Sequence, residues 1–219
     1  MTRRATFFLT ATLVALVAGG TATAGFGGAR WVVDSTQAAG RLAAPGAEAA
    51  AAARDLLAPW ADTLGAQSQA RAGLVAVAER LGSFAERAAA IEDALAVAPS
   101  QGRLWLALAD VASRTGRSDN EVFHFVTLSD LTEPREAETM FLRAALVLRL
   151  WGHAPDALKR GAIANLAEIA PRLDPAELGA LRALSSHLSN DDRADARERL
   201  IADMQEDRRF ADAIGLSSQ

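Results

Sequence analysis

The sequence predicts an all-α protein, and three observations carry that expectation. Alanine fills roughly a quarter of the 219 positions, tyrosine is absent and β-branched residues are few, a composition that favours helix throughout. No stretch keeps a period-two alternation of apolar and polar residues, so no sheet is expected. Short Gly, Pro, Ser and Asp punctuation separates apolar stretches of helical length. The chain is long enough for one ordinary domain with a core, or a smaller domain with an appendage. Absence of cysteine excludes a disulfide framework, thiolate zinc sites, a catalytic thiol and a lipid-anchoring cysteine. The 23 basic residues, all arginine except Lys159, face 27 acidic ones for a net charge of −4. That balance argues against a general polyanion binder, so no nucleic-acid partner is expected.

In chain order, the first element is an uncharged run from Ala5 to Ala29 behind Arg3 and Arg4. At about 1.5 Å per residue, such a run could cross a hydrocarbon core of roughly 30 Å. Its densest part, Phe7 to Val17, is too short to span alone, and Gly19, Gly20, Thr21, Thr23, Gly25, Gly27 and Gly28 dilute the remainder of the run. Residues 1–29 therefore have two readings. One is a single transmembrane helix held on the cytoplasmic side by the two arginines. The other is a secretory signal cleaved after Ala24, at the small-x-small site Ala22-Thr23-Ala24. The length of the run, and the adjoining Arg30-Trp31 pair as an interfacial combination, favour the anchor. Arg3-Arg4 before Phe7-Phe8-Leu9 also resembles a twin-arginine export signal with its phenylalanines one residue late; a plain basic flank accounts for the pair better. Either address is extracytoplasmic: a single-pass inner-membrane protein with a periplasmic C-terminal domain, or a protein released into the periplasm. Without Arg3 and Arg4, 21 basic and 27 acidic residues leave an acidic body at −6, in line with the positive-inside bias.

Residues 30–66 read as an alanine-rich connector broken at Pro45-Gly46, with a helix from about Ala47 to Leu57, before Pro59 and Trp60 announce the folded part. Further on, Pro155-Asp156 opens a helix that should close before Pro171. Asp174-Pro175-Ala176-Glu177 combines an aspartate cap, proline at the first helical position and glutamate three residues past the cap. Gly215 comes after a short last helix, as a C-terminal glycine should.

Within residues 67–171 a repeat is visible. Gly82 and Gly116 are 34 residues apart, and neighbouring residues fall into register. From Pro99 to Gly116, Trp105, Leu108-Ala109 and Gly116 succeed the proline at fixed intervals. The segment resembles a tetratricopeptide repeat boundary. A preceding unit, about Ser68 to Gln101, matches at Leu74, Gly82, Phe84, Ile91, Ala94-Leu95 and Pro99, with Arg71 where the large aromatic is expected. A later unit fits after a two-residue insertion, through Phe141, Ala145, Leu148, Gly152 and Ala157-Leu158. Between them the unit from about Gly102 to Pro134 matches in its first helix, but carries Glu121 and Leu128 where small residues are usual. The resemblance implies an α-solenoid of helical hairpins, with residues 172–219 as capping helices whose charges (Asp191, Asp192, Arg193, Asp195, Arg197, Glu198, Arg199) face solvent. A generic antiparallel bundle is the alternative. In the repeat reading, Ala109 or Ala145 lets paired helices approach, Gly116 supplies a positive φ, and Trp105 fills the gap to the next unit. Trp105→Ala should then cost about 3–5 kcal/mol as a core truncation.

No catalytic constellation, cofactor motif or metal-ligand spacing emerges. His124, His153 and His187 stand apart without a second histidine at helical spacing. Leu81-Gly82-Ser83-Phe84 lacks the second glycine of a nucleophile elbow, and Gly25-Phe26-Gly27-Gly28 has no preceding strand to make a phosphate cradle. Glu133, Glu136 and Glu138 are conceivable acid/base carboxylates, though a helix N-terminus explains their clustering more simply. By analogy with the repeat family, Glu79, Arg103, Asp110, Ser113 and Arg149 occupy the inner face of the first helices, where an extended polar peptide of an envelope protein would bind. Ser129 to Trp151, with the overall layout, is similar to membrane-anchored, repeat-like accessory proteins of bacterial surface-polysaccharide production. Three functions stand as expectations. The favoured one is a non-enzymatic scaffold or adaptor on the membrane. The others are a glycan-modifying enzyme using Glu133 or Glu138, and a structural subunit packing through Gly19, Gly20 and Gly25.

Overall fold

A computed structural model describes residues 26–204 and 208–216 of the chain. Every regular element among the described residues is helical, and the chain divides into two compact units, residues 1–99 and 100–219. The anchor or leader expected over residues 1–29, with Arg3, Arg4, the Ala22–Ala24 site and the glycines at 19, 20 and 25, lies outside the described residues, apart from its last four positions. Those four are the first turn of a helix. Among the described residues no helix is long and apolar enough to cross a membrane.

The first unit holds α1 (Phe26–Ala43), α2 (Ala47–Leu57), α3 (Gln67–Leu81) and α4 (Phe84–Val97), with a 3-10 turn at Ala58–Trp60 between α2 and α3. Gly46, at φ +105°, turns the chain between α1 and α2, and α2 has the bounds read from the sequence. Consecutive helices pack in pairs, and α1 also touches α3. The alanine-rich stretch read as a connector is thus part of a folded unit. Its alanines are the reason: Ala38, Ala50, Ala53 and Ala66 are buried, and small side chains let helix axes approach closely. Trp31 corrects the interfacial reading given to it. It is only 1% exposed, tilted against Trp60 at 5.4 Å and packed with Leu57. Local sequence cannot distinguish a tryptophan destined for the headgroups from one whose core partner arrives later in the chain.

The second unit contains α5 (Gly102–Arg114), α6 (Asp119–Thr132), α7 (Ala137–Arg149), α8 (Asp156–Ile169), α9 (Pro175–Ser186), α10 (Asn190–Asp203) and α11 (Arg208–Ala213). Short 3-10 turns cover Trp151–His153 and Ala170–Arg172. α5/α6 and α7/α8 are hairpins; α5 lies on α7, α7 on α9, and α8 on α10. The first helices of the three hairpins start at Gln67, Gly102 and Ala137, 35 residues apart each time. Hairpin packing with this period is consistent with a helical-repeat fold.

Several local signals appear where expected. Gly116 has φ +72° at the α5/α6 turn and Gly215 has φ +80° after α11. Asp174 and Glu177 form a reciprocal capping box with Pro175 at the first helical position. Ala109 is fully buried between α5 and its neighbours. Two packing assignments shift. Trp105 is half-buried and stacks on Phe125 of its own hairpin at 6.0 Å, so the buried tryptophan of this unit is Trp151, 0% exposed. In α7 the enclosed small residue is Ala144, with Ala145 only half-buried. Ala144 lies 35 residues after Ala109, as the helix starts do, so the two-residue insertion assumed from the sequence overshoots by one. The core runs from Leu106 and Ala109 through Val147, Leu148, Trp151 and Leu166 to Leu181, Leu200, Ile214 and Leu216.

Candidate partner-binding face

Helical spacing sets the face. On α5, Arg103 and Asp110 lie two turns apart, with Arg114 a turn beyond; on α7, Glu138 and Arg149 lie three turns apart. Because α5 packs on α7, the two rows run side by side. At one end, the Arg103 guanidinium grips the Glu138 carboxylate in a two-point fork, Nη1 to Oε2 at 3.2 Å and Nη2 to Oε1 at 3.0 Å. At the other end, Arg149 Nη2 donates to Asp110 Oδ1 at 2.6 Å and to Ser113 Oγ at 2.9 Å. Arg114 Nε holds the second Asp110 oxygen at 2.8 Å, and Ser113 Oγ donates to the Asp110 carbonyl at 2.8 Å. Between the polar ends lie Ala107 and Ala145, half-buried, and the exposed Leu142.

Of the five residues expected to meet a partner, the structure joins Asp110, Ser113 and Arg149 in one network. Arg103 lies on the same row of α5, paired with Glu138. Glu79 is exposed near the end of α3 and belongs to the first unit, whereas the other four belong to the second.

Of the three glutamates near Pro134, Glu136 and Glu138 lie at the start of α7, while Glu133 is the C-cap of α6. Glu136 caps α7, accepting from Thr139 N at 2.6 Å. Glu133 Oε2 accepts from Arg103 N in the first turn of α5 at 3.2 Å, where Gln101 supplies no side-chain cap, and from Thr139 Oγ1 at 3.0 Å. Burial pushes the Glu136 carboxyl up, but its hydrogen bonds from Thr139 outweigh that and hold it below the usual range. Glu138 goes the other way. Burial, with the neighbouring Glu136, Glu177 and Glu133, raises its carboxyl against the opposing pull of Arg103.

Two polar centres lie beyond the sequence expectations. Arg143, 3% exposed, reaches Ser129 Oγ at 3.2 Å, Asp130 Oδ1 at 3.1 Å and the Pro134 carbonyl at 3.3 Å, tying the α6–α7 loop to α7. Burial lowers its pKa, with Asp130 and Glu133 opposing. The sequence does carry its signal: it shares a face with Met140, Ala144 and Val147, the apolar stripe of α7. The second centre is Asp195 of α10, read from the sequence as a solvated charge. It accepts from Trp151 Nε1 at 3.1 Å, Lys159 Nζ at 3.2 Å and Arg199 Nε at 2.5 Å, and the Lys159 ammonium also lies 5.1 Å over the Trp151 ring. No local pattern announces partners so distant in sequence.

Of the histidines, His124 and His187 are exposed, and His153 lies 3.3 Å from Asp119 on the surface. No group of three or more His, Asp or Glu residues placed to hold a metal occurs among the described residues. No protein-family model, curated protein or solved structure matches this chain.

Proposed function

We propose that the protein is a non-enzymatic scaffold of the cell envelope. In this reading residues 1–29 anchor it in the inner membrane, the helical body lies in the periplasm, and the α5–α7 face of the second unit holds an extended polar segment of a partner protein. The observation that carries the reading is the network of Asp110, Ser113 and Arg149 across two adjacent first helices. Mutual hydrogen bonds fix these side chains in place, so a partner's amides and side chains meet groups that have little conformational entropy left to lose. Leu142 between the polar ends offers an apolar contact of the kind peptide grooves use for register. The likeness of Ser129 to Trp151 to polysaccharide-accessory proteins directs the choice of partner toward the machinery that makes or exports surface polysaccharide.

The test is quantitative affinity purification of the full chain from solubilised membranes, comparing the natural protein with Arg149→Ala. Proteins retained by the natural chain and lost from the variant, with helicity and melting unchanged, support the scaffold. An identical set from both proteins sinks the α5–α7 assignment. One observation favours a second reading, an enzyme acting on envelope glycans: the raised carboxyl of Glu138 suits a proton donor. Turnover of an envelope glycan that disappears in Glu138→Gln would establish that alternative.

A further inference from the structure

At the end of the first unit where the chain enters, two large apolar side chains stand in the open, whereas Phe84 at the opposite end, 40% exposed, lies under the Arg87 guanidinium at 5.3 Å. Leu64, 81% exposed, lies in the loop after the 3-10 turn, and Val33, 53% exposed, lies near the start of α1. Both sit at one corner. Trp60 Nε1 donates to Asp34 Oδ2 at 3.0 Å, and the Trp31 and Trp60 rings meet at 5.4 Å. Arg71 fixes the loop that carries Leu64, with Nε on the Ala61 carbonyl at 2.9 Å and Nη2 on Asp62 at 2.7 Å. The opposite end of the unit holds the α1–α2 turn, where Arg80 reaches the Ala44 carbonyl at 2.8 Å, and the start of α4.

We infer that this corner rests on the lipid surface, with the Leu64 side chain in the interfacial layer of the bilayer. The inference rests on the anchored reading of residues 1–29 and adds a surface to it. Its support is the way the uncharged run joins the unit. Residues 26–29, the end of that run, are the first turn of α1. If the hydrocarbon boundary falls at Ala29, then Val33 stands roughly 6 Å farther along the helix. One headgroup layer is about 5–7 Å deep. Trp31, two residues before Val33, meets the Trp60 ring at 5.4 Å within the core, and the loop carrying Leu64 comes directly after Trp60. An exposed leucine at headgroup level removes apolar surface from water by partitioning.

Because the chain has no cysteine, Leu64→Cys and Ala85→Cys each provide one labelling point, both at exposed positions. Ala85, in the first turn of α4, reports the opposite end of the unit. The full-length variants, carrying an environment-sensitive fluorophore, are reconstituted into vesicles of phosphatidylethanolamine and phosphatidylglycerol. A blue-shifted emission at position 64, with loss of quenching by aqueous iodide and gain of quenching by nitroxide lipids, supports the inference when position 85 stays open to iodide. Equal iodide quenching at both positions, in protein that resists carbonate extraction from the vesicles, overturns the docked corner and leaves the anchor standing. Release of the chain by carbonate overturns both. A label open in pure lipid but covered in native membranes assigns the surface to a protein partner and overturns the lipid contact.

Discussion

Trp105 and Trp151 bring the same side chain into two environments, and the difference sets their energetic weight. Trp151 is fully enclosed and spends its indole N–H on Asp195, so Trp151→Ala loses buried area, leaves a cavity and strips a donor from Asp195; the expected cost is about 3–5 kcal/mol. Trp105 is half-buried against Phe125, and Trp105→Ala should cost only about 1–2 kcal/mol for a stacked pair and part of a ring's area. Urea denaturation of the two variants checks the order, and equal costs would contradict the packing. Asp195 itself carries a pH signature. Burial pushes its carboxyl up, but hydrogen bonds from Arg199, Lys159 and Trp151 outweigh burial and hold it below the ordinary range. A depressed folded-state pKa means that the stabilisation is present above the unfolded value of about 3.9 and is lost as pH falls through the folded value. Melting temperature should therefore drop on the acid side of pH 4, and Asp195→Asn should flatten that part of the profile while lowering stability at neutral pH. An unchanged acid slope in the variant would show that other carboxylates carry it.

At the scale of single helices, the ends are where sequence speaks most clearly. The Asp174 carboxylate accepts from Glu177 N at 2.8 Å while Glu177 Oε2 accepts from Asp174 N at 2.9 Å, satisfying two donors that an α-helix leaves open. Asp174→Ala should cost about 1 kcal/mol, and Asp174→Ser should recover most of it; thermal melts of the pair distinguish a lost cap from a lost charge. Capping residues, prolines and turn glycines act within four residues of one another, which is why α9, the opening of α8 and the Gly116 turn are legible in the sequence alone. The bounds of α2 are legible for a related reason: Pro45-Gly46 and Pro59 bracket a run of strong helix formers. Long-range choices are not legible in this way. Alanine looks the same in a solvated linker and in a close helix–helix contact, so α1 and α2 read as a connector until Trp31, Leu57 and Trp60 are seen to share a core. On the α5–α7 face, repeat spacing brings Asp110, Ser113 and Arg149 forward as candidates. It cannot tell that they bond one another, because the pairing of α5 with α7 is set by the hydrophobic core beneath, not by the polar row itself.

For the whole chain, each unit of the division near Pro99 has a hydrophobic cluster within it. One is built from Trp31, Leu57, Val77 and small alanines; the other runs from Leu106 to Leu216 and includes most of the large buried aliphatics. The second unit, about 120 residues long, lies in the size range where one core sustains a domain. Glu133 caps the first turn of α5, and at the C-terminus Arg182 holds the Ala213 carbonyl at 2.6 Å while Ile214 and Leu216 are fully buried. The first unit is poorer in large side chains, and an alanine contributes less apolar area per buried position than a leucine or isoleucine. Pro99 and Ser100 are exposed, between the end of α4 and the start of α5, where a protease can take hold. Limited proteolysis should therefore cut near residues 99–101 and leave a C-terminal fragment that resists further digestion. Expressed alone from residue 100, that fragment should melt cooperatively with blue-shifted Trp151 emission, whereas Leu57→Ala in the full chain should lower only the transition reported by Trp31 and Trp60. A fragment that lacks a cooperative melt, or a Leu57→Ala chain that loses both transitions together, would mean that the two cores depend on one another for stability.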